Sequence, residues 1–244
     1  MKQLLLGSVL GLAAGSASAQ NSDWEYAATL YGWLPGLGVE TETAFGTVDA
    51  DVSASDLLSA LDMAFMAAFE ARTGPWSILG DIVYSDLSAS QPTPFGALFT
   101  EAQVKSKLTL LSGYVAYRVY DTADVAIDLA GGFRAFDVDM TVSLTPGAAA
   151  GRSRSSSDRW INPVLGARAI VNFNEKWFGT AFVDFGGTGS DDNTWQALAT
   201  VGYRFNERWS TQIGYRYLQF EHSLGGNDTT MSLSGALIGV TARF

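Results

Sequence analysis

Residues 195–217 read WQALATVGYRFNERWSTQIGYRY, two alternating runs joined by Asn206-Glu207-Arg208. In the first run Trp195, Ala197, Ala199, Val201, Tyr203 and Phe205 share one face, while Gln196, Thr200 and Arg204 share the other. In the second, Ile213, Tyr215 and Tyr217 oppose Gln212, Gly214 and Arg216. A period of two is the period of a strand, whose successive side chains point to opposite faces. Three intervening residues leave room only for a hairpin turn. Each run is also as long as the ~9–11 residues with which a tilted strand crosses a bilayer.

The same alternation continues to both sides of this hairpin and predicts ten strands, near 24–34, 63–72, 76–87, 104–120, 124–140, 158–173, 177–187, 194–205, 209–220 and 232–244. Thr73-Gly74-Pro75, Asp121-Thr122-Ala123, Asn174-Glu175-Lys176 and Asn206-Glu207-Arg208 are tight turns between alternate pairs. The other connections (35–62, 88–103, 141–157, 188–193 and 221–231) are longer. Short turns on one rim and long loops on the other are the habit of outer-membrane barrels, on the periplasmic and extracellular sides respectively. The predicted fold is therefore all-β, a transmembrane antiparallel up-and-down barrel of ten strands. Val39–Thr43 and Thr47–Val52 could form a further hairpin, which leaves eight or twelve open.

The charges decide which face meets lipid. Alternation puts Glu70, Arg72, Asp81, Arg118, Asp128, Arg134, Arg168, Asp184, Arg204, Arg216 and Arg243 on the face opposite the apolar one. An arginine facing lipid at mid-bilayer costs roughly 2–4 kcal/mol, so these eleven are expected to line the lumen. Adding Glu25 gives five inward acids against seven arginines, a lumen with at most a modest anion preference. A soluble sandwich or lipocalin-like barrel also alternates. Against it stand Trp76, Trp177 and Trp209 at or just past short turns, with Tyr117, Tyr120, Phe173 and Phe205 just before them. Together with Phe244 they predict an aromatic girdle at one membrane interface.

Composition narrows the classes further. The chain has 244 residues, a formal net charge of −10, 12% aromatics, 26 glycines and no cysteine. The acidity argues against nucleic acid as a partner, and the missing cysteine removes disulfides, thiolate metal sites and a thiol nucleophile. Lys2, the apolar Leu4–Ala14 and Ala17-Ser18-Ala19 form an export signal with cleavage near Ala19. Residues 1–19 are thus expected to be a signal peptide and 20–244 the barrel, delivered to the bacterial outer membrane. No later segment has the ~18 consecutive apolar residues of a helical span.

Phe244, preceded at two-residue steps by Ala242, Val240, Ile238 and Ala236, resembles the signal read by the outer-membrane assembly machinery. The stretch Phe185–Trp195, with Val201-Gly202-Tyr203-Arg204-Phe205 and Gly214-Tyr215-Arg216-Tyr217-Leu218, is similar to a large family of small Gram-negative outer-membrane β-barrels of the outer membrane protein A and W type. Tyr31-Gly32-Trp33-Leu34-Pro35-Gly36 and Asp56-Leu57-Leu58 resemble it as well. That resemblance implies a porin-like or structural barrel without an established substrate, whose partners are outer-membrane lipid, lipopolysaccharide and the assembly machinery at Phe244.

Chemistry-bearing motifs are sparse. His222 is the sole histidine, and the adjacent Ser223 points to the opposite face of a strand, so no triad is expected. No catalytic residue, metal site or cofactor is predicted, although a lipid A-modifying enzyme or a protease is a remote alternative. Gly147–Ser153 departs from a phosphate loop in spacing and in having Arg152 for lysine, and reads as a flexible loop. Its Arg152 and Arg154 form the one basic loop of an acidic rim, suited to lipopolysaccharide phosphates. Acids in the long connections, among them Glu40, Glu42, Asp49, Asp51, Asp56, Asp62, Asp191 and Asp192, match no calcium-loop spacing. Ser55–Leu61 has a cap and helical spacing and is expected to plug the mouth or lumen, or else to lie on the rim. The leading expectation is a narrow channel for ions or small solutes; the alternative is a closed structural or surface-interaction barrel.

Overall fold

A computed structural model describes residues 24–43, 46–92, 99–189, 192–224 and 227–244. The predicted export signal lies outside these residues. Its strands are β1 (Trp24–Thr43), β2 (Gly46–Val52), β3 (Leu61–Thr73), β4 (Trp76–Pro92), β5 (Phe99–Asp121), β6 (Val125–Pro146), β7 (Arg152–Asn172), β8 (Trp177–Gly189), β9 (Asp192–Arg204), β10 (Trp209–Leu224) and β11 (Asn227–Arg243). Consecutive strands from β3 to β11 pair antiparallel, β1 pairs with β3, and β1 closes on β11 from Ala27↔Arg243 to Thr41↔Thr229. The ring therefore has ten strands.

The eleventh strand is the optional hairpin foreseen in the first connection. β1 pairs with β3 through Trp24–Leu30 and with β2 through Leu37–Thr43. A short helix, α1 (Ala54–Ser59), links β2 to β3. Ser53 caps it, accepting from the Asp56 amide at 3.2 Å and donating to the Asp56 carboxylate at 2.7 Å. No α1 residue is buried, and the helix packs along β1, its end tied to β4 where the Ser88 amide donates to the Ala60 carbonyl. It is a rim helix and not a plug. With β2 paired to β1 on one side and Leu61 paired to Leu87 on the other, a six-residue helix has no slack to reach the lumen.

Three of the four short turns show their local cause in one residue. The Asn174 side chain accepts from the Lys176 and Trp177 amides, and Asn206 accepts in the same way from Arg208 and Trp209. An asparagine that bonds its own backbone two and three residues on fixes a turn. Gly74, at φ +53°, takes the left-handed position of the β3–β4 turn, which suits glycine.

The other rim corrects an expectation. Most of the residues expected in long loops 88–103, 141–157 and 221–231 are strand: pairing runs to Pro92↔Glu101, Leu144↔Arg152 and Leu224↔Asn227. Above the membrane both faces of a strand are wet, so the alternation that marks a strand fades; Ser153–Ser157 is polar at every position.

The outer surface is apolar across its middle. Leu30, Ile161, Leu165, Phe185, Ile213 and Ile238 point outward, 60% to 67% exposed. Such a continuous belt far exceeds what water-facing surfaces carry and is a lipid-facing surface. Trp76 against Tyr117, Trp177 against Tyr203, and Tyr26 against Phe244 form aromatic pairs at the short-turn rim. A second outward aromatic pair, Trp195 with Tyr217, stands toward the other end. From Trp195 to Phe205 the strand runs about 33 Å, which a tilt near 40° shortens to about 25 Å, the height of a membrane-facing band.

Candidate functional site

The interior follows from the inward positions of the same strands. All eleven charged residues assigned to the lumen project into the barrel, where they line its cavity or are buried. They divide into three groups with different partners.

The first group is a diaphragm across the lumen. Arg134 and Asp184 are fully shielded from solvent and pair at 2.8 Å, with a second contact at 3.0 Å. Arg134 also donates to Ser112, Thr194 and the Tyr114 hydroxyl, while Tyr114 and Gln196 donate to Asp184. Gln196 carries the network onward by accepting from Arg216 at 3.1 Å. Arg216 then meets Asp81 and the Tyr31 hydroxyl, both at 3.0 Å, and Tyr31 donates to Asp81. Seven strands (β1, β4, β5, β6, β8, β9 and β10) thus contribute to one connected layer. Within each of its two ion pairs the arginine and the carboxylate compensate, which is what makes buried ions tolerable.

Directly beyond the diaphragm, toward the long-hairpin rim, lies an apolar plug. Trp33, Met66, Val83, Leu110, Phe136, Val138, Trp160, Leu218, Phe220, Leu233 and Leu237 form one buried cluster. Phe136 stacks on Trp160 at 4.6 Å and Phe220 leans on both. Arg216 lies 4.9 Å from the Trp33 ring and joins the two layers. At the outer end His222 stacks flat on Trp160 at 4.0 Å, with Asp158 and Asp192 each 3.4 Å from its nitrogens. His222 is therefore part of the lid of the plug.

The remaining two groups lie toward the short turns. Arg168 grips Glu70 with two bonds of 2.8 and 2.9 Å and Asp128 with bonds of 2.7 and 3.0 Å. Arg72 and Arg118 complete this wall cluster on Glu70 and Asp128. Opposite it, Arg204 bonds to the Asn172 side chain at 2.7 Å and lies 4.4 Å over the Phe178 ring, and Arg243 reaches Ser210 at 3.4 Å. Among the described residues neither arginine has a carboxylate within 4.0 Å. Between these walls the barrel encloses a cavity of about 900 Å³, which reaches Glu207 and Arg208 of the last short turn.

The plug is what reasoning from sequence missed. Its signal was present in the parity: Phe136 and Val138 follow Arg134 at two-residue steps, Val83 follows Asp81, and Leu218 and Phe220 follow Arg216. The basic pair Arg152 and Arg154 is exposed on the β6–β7 hairpin, with Gly147–Gly151 as its tip. Among the described residues no group of acids and histidine has the arrangement of a metal site.

No protein-family model matches the chain, and neither does any curated protein. Solved structures do. The outer membrane protease OmpT of Escherichia coli aligns with a TM-score of 0.65 and 11% identity, over 91% of this chain and 97% of that one. The translocator domain of the autotransporter NalP of Neisseria meningitidis aligns with a TM-score of 0.51 and 14% identity, over 93% and 90%. The fold is that of a Gram-negative outer-membrane β-barrel. At these identities the likeness extends to the fold alone.

Proposed function

We propose that the chain is an integral outer-membrane β-barrel whose lumen is shut toward the cell exterior and open toward the periplasm, acting through its surfaces and its inner vestibule and not as a standing pore. The observation that carries this reading is the stack of two sealed layers. Leu110, Leu218 and Phe220 of the plug and Arg134 of the diaphragm are each at most 1% exposed. An ion crossing them would meet a packed apolar layer and then a hydrogen-bonded one, each closed by side chains.

The same reading places residues 20–244 in the membrane after cleavage near Ala19, with the apolar belt against lipid. Phe244 is proposed to engage the assembly machinery, and Arg152 and Arg154 lipopolysaccharide phosphates. Catalysis is not part of the proposal: Ser223 is exposed next to His222, whose ring lies flat on Trp160.

Because the chain has no cysteine, single introduced thiols report access cleanly. In folded protein in lipid, Thr180→Cys, on the cavity wall, is expected to react with a water-soluble maleimide. Leu218→Cys is expected to stay protected. Equal labelling of both positions would overturn the closed reading. A narrow gated channel is the second reading, favoured by the vestibule, which already forms half of a transmembrane path; it requires both sealed layers to move.

A further inference from the structure

We propose that the vestibule is a binding site for a small organic anion with an apolar body, its carboxylate held between Arg204 and Arg243. This goes beyond the closed-barrel reading and holds whether or not the plug ever moves, since the site lies wholly on the short-turn side of the diaphragm.

The first ground is charge. The protein is acidic overall, yet its cavity wall carries seven arginines and four carboxylates. Asp128, buried beneath the wall cluster, brings the acids to five. Glu70 and Asp128 occupy Arg72, Arg118 and Arg168, and Asp81 occupies Arg216. Besides Arg208 in the last short turn, Arg204 and Arg243 are left over. They flank Ser210: Arg204 pairs with it across β9–β10, and Arg243 bonds to its hydroxyl. Two like charges converging without an acid, inside a barrel clad in lipid, gain from an anion that supplies the missing countercharge.

The second ground is preparation. Arg204 is held by Asn172 on one side and by the Phe178 ring on the other, so little rotamer freedom remains to be lost on binding. Neither Glu25 nor Glu207, which share the wall, pairs with it or with Arg243 in this structure.

The third ground is the rest of the lining. Behind the guanidinium pair, Phe178, Phe182, Leu198, Leu79 and Ile170 present an aromatic and aliphatic surface, interspersed with threonines. A cavity of about 900 Å³ is at the upper end of the size that small-molecule sites take. An apolar wall beside a fixed cationic pair suits an aryl or short alkyl carboxylate better than a bare inorganic ion. The opening lies on the side that faces the periplasm in barrels of this type.

The test is a fluorine NMR titration of 4-fluorobenzoate against the full chain in lipid nanodiscs, with empty discs subtracted. The wild type is expected to bind it saturably, and the neutral 4-fluorobenzamide at least tenfold more weakly. R204Q/R243Q, shown to be folded by its heat-modifiable gel shift, is expected to lose at least tenfold in affinity. R204K/R243K, which keeps both charges, should stay within a few-fold of the wild type. Absence of saturable binding, equal affinity in the glutamine variant, or equal binding of the amide would overturn the site. Acetate binding as tightly as 4-fluorobenzoate would overturn the apolar half of the proposal.

Discussion

The two halves of the lumen are built from the same strands and the same inward parity, yet one is closed and the other open. Toward the long hairpins, β6 and β10 present Phe136, Val138, Leu218 and Phe220, and the interior is closed by ring contacts. Toward the short turns, β7, β9 and β11 present Arg168, Arg204 and Arg243, and the interior stays open as a vestibule. The Arg134–Asp184 and Arg216–Asp81 pairs are the border. Polarity of the inward face therefore varies with depth, and a ten-stranded barrel, narrow enough for large side chains to meet across it, converts that variation into a seal at one end and a vestibule at the other.

Substitutions can break the contrast or sharpen it. Asp184→Leu leaves Arg134 as a buried uncompensated charge and is expected to cost about 3–5 kcal/mol in urea unfolding from lipid vesicles. Arg134→Leu combined with Asp184→Leu should recover most of that loss, which separates the cost of an orphaned charge from the worth of the pair. Phe136→Ala removes the central ring of the plug and is expected to cost about 3 kcal/mol. It should produce no conductance, because the diaphragm remains beneath it; steady ion flow from this single variant would show that the diaphragm does not seal.

On the lipid side, Ile213→Arg puts a charge between the two aromatic levels and should cost about 2 kcal/mol or more. The smallest effect belongs to the vestibule. Arg243→Gln should change unfolding by no more than about 0.5 kcal/mol, as expected of a group without an ionic partner. A loss like that of Asp184→Leu would mean that Arg243 is part of the structural network after all.

How much of this was readable in the residues follows from the cost of errors in lipid. A charge on the wrong face of a membrane strand is expensive, so Arg134, Arg204 and Arg216 declare the parity, and with it the ten strands and their turns. An apolar residue has no such preference between a lipid-facing wall and a dry core. Phe136 and Phe220 therefore look like Phe185, and only their even-numbered distance from an inward arginine, two residues and four, tells them apart. The extended hairpins were hidden for the opposite reason: Arg152–Ser157 is wet on both faces and carries no alternation. The two carboxylate-free arginines were visible only as members of a charged set. Which arginine lacks an acid depends on which strands meet across the lumen.

The central claim, that the lumen is shut, is tested most directly by planar-bilayer recording of the purified wild-type protein with its heat-modifiable shift intact. The structure predicts a silent membrane, with no discrete openings at moderate voltage. Reproducible unitary steps from folded protein, altered in ion selectivity by substituting Arg204 and Arg216 together, would contradict it and establish a conducting path through the diaphragm.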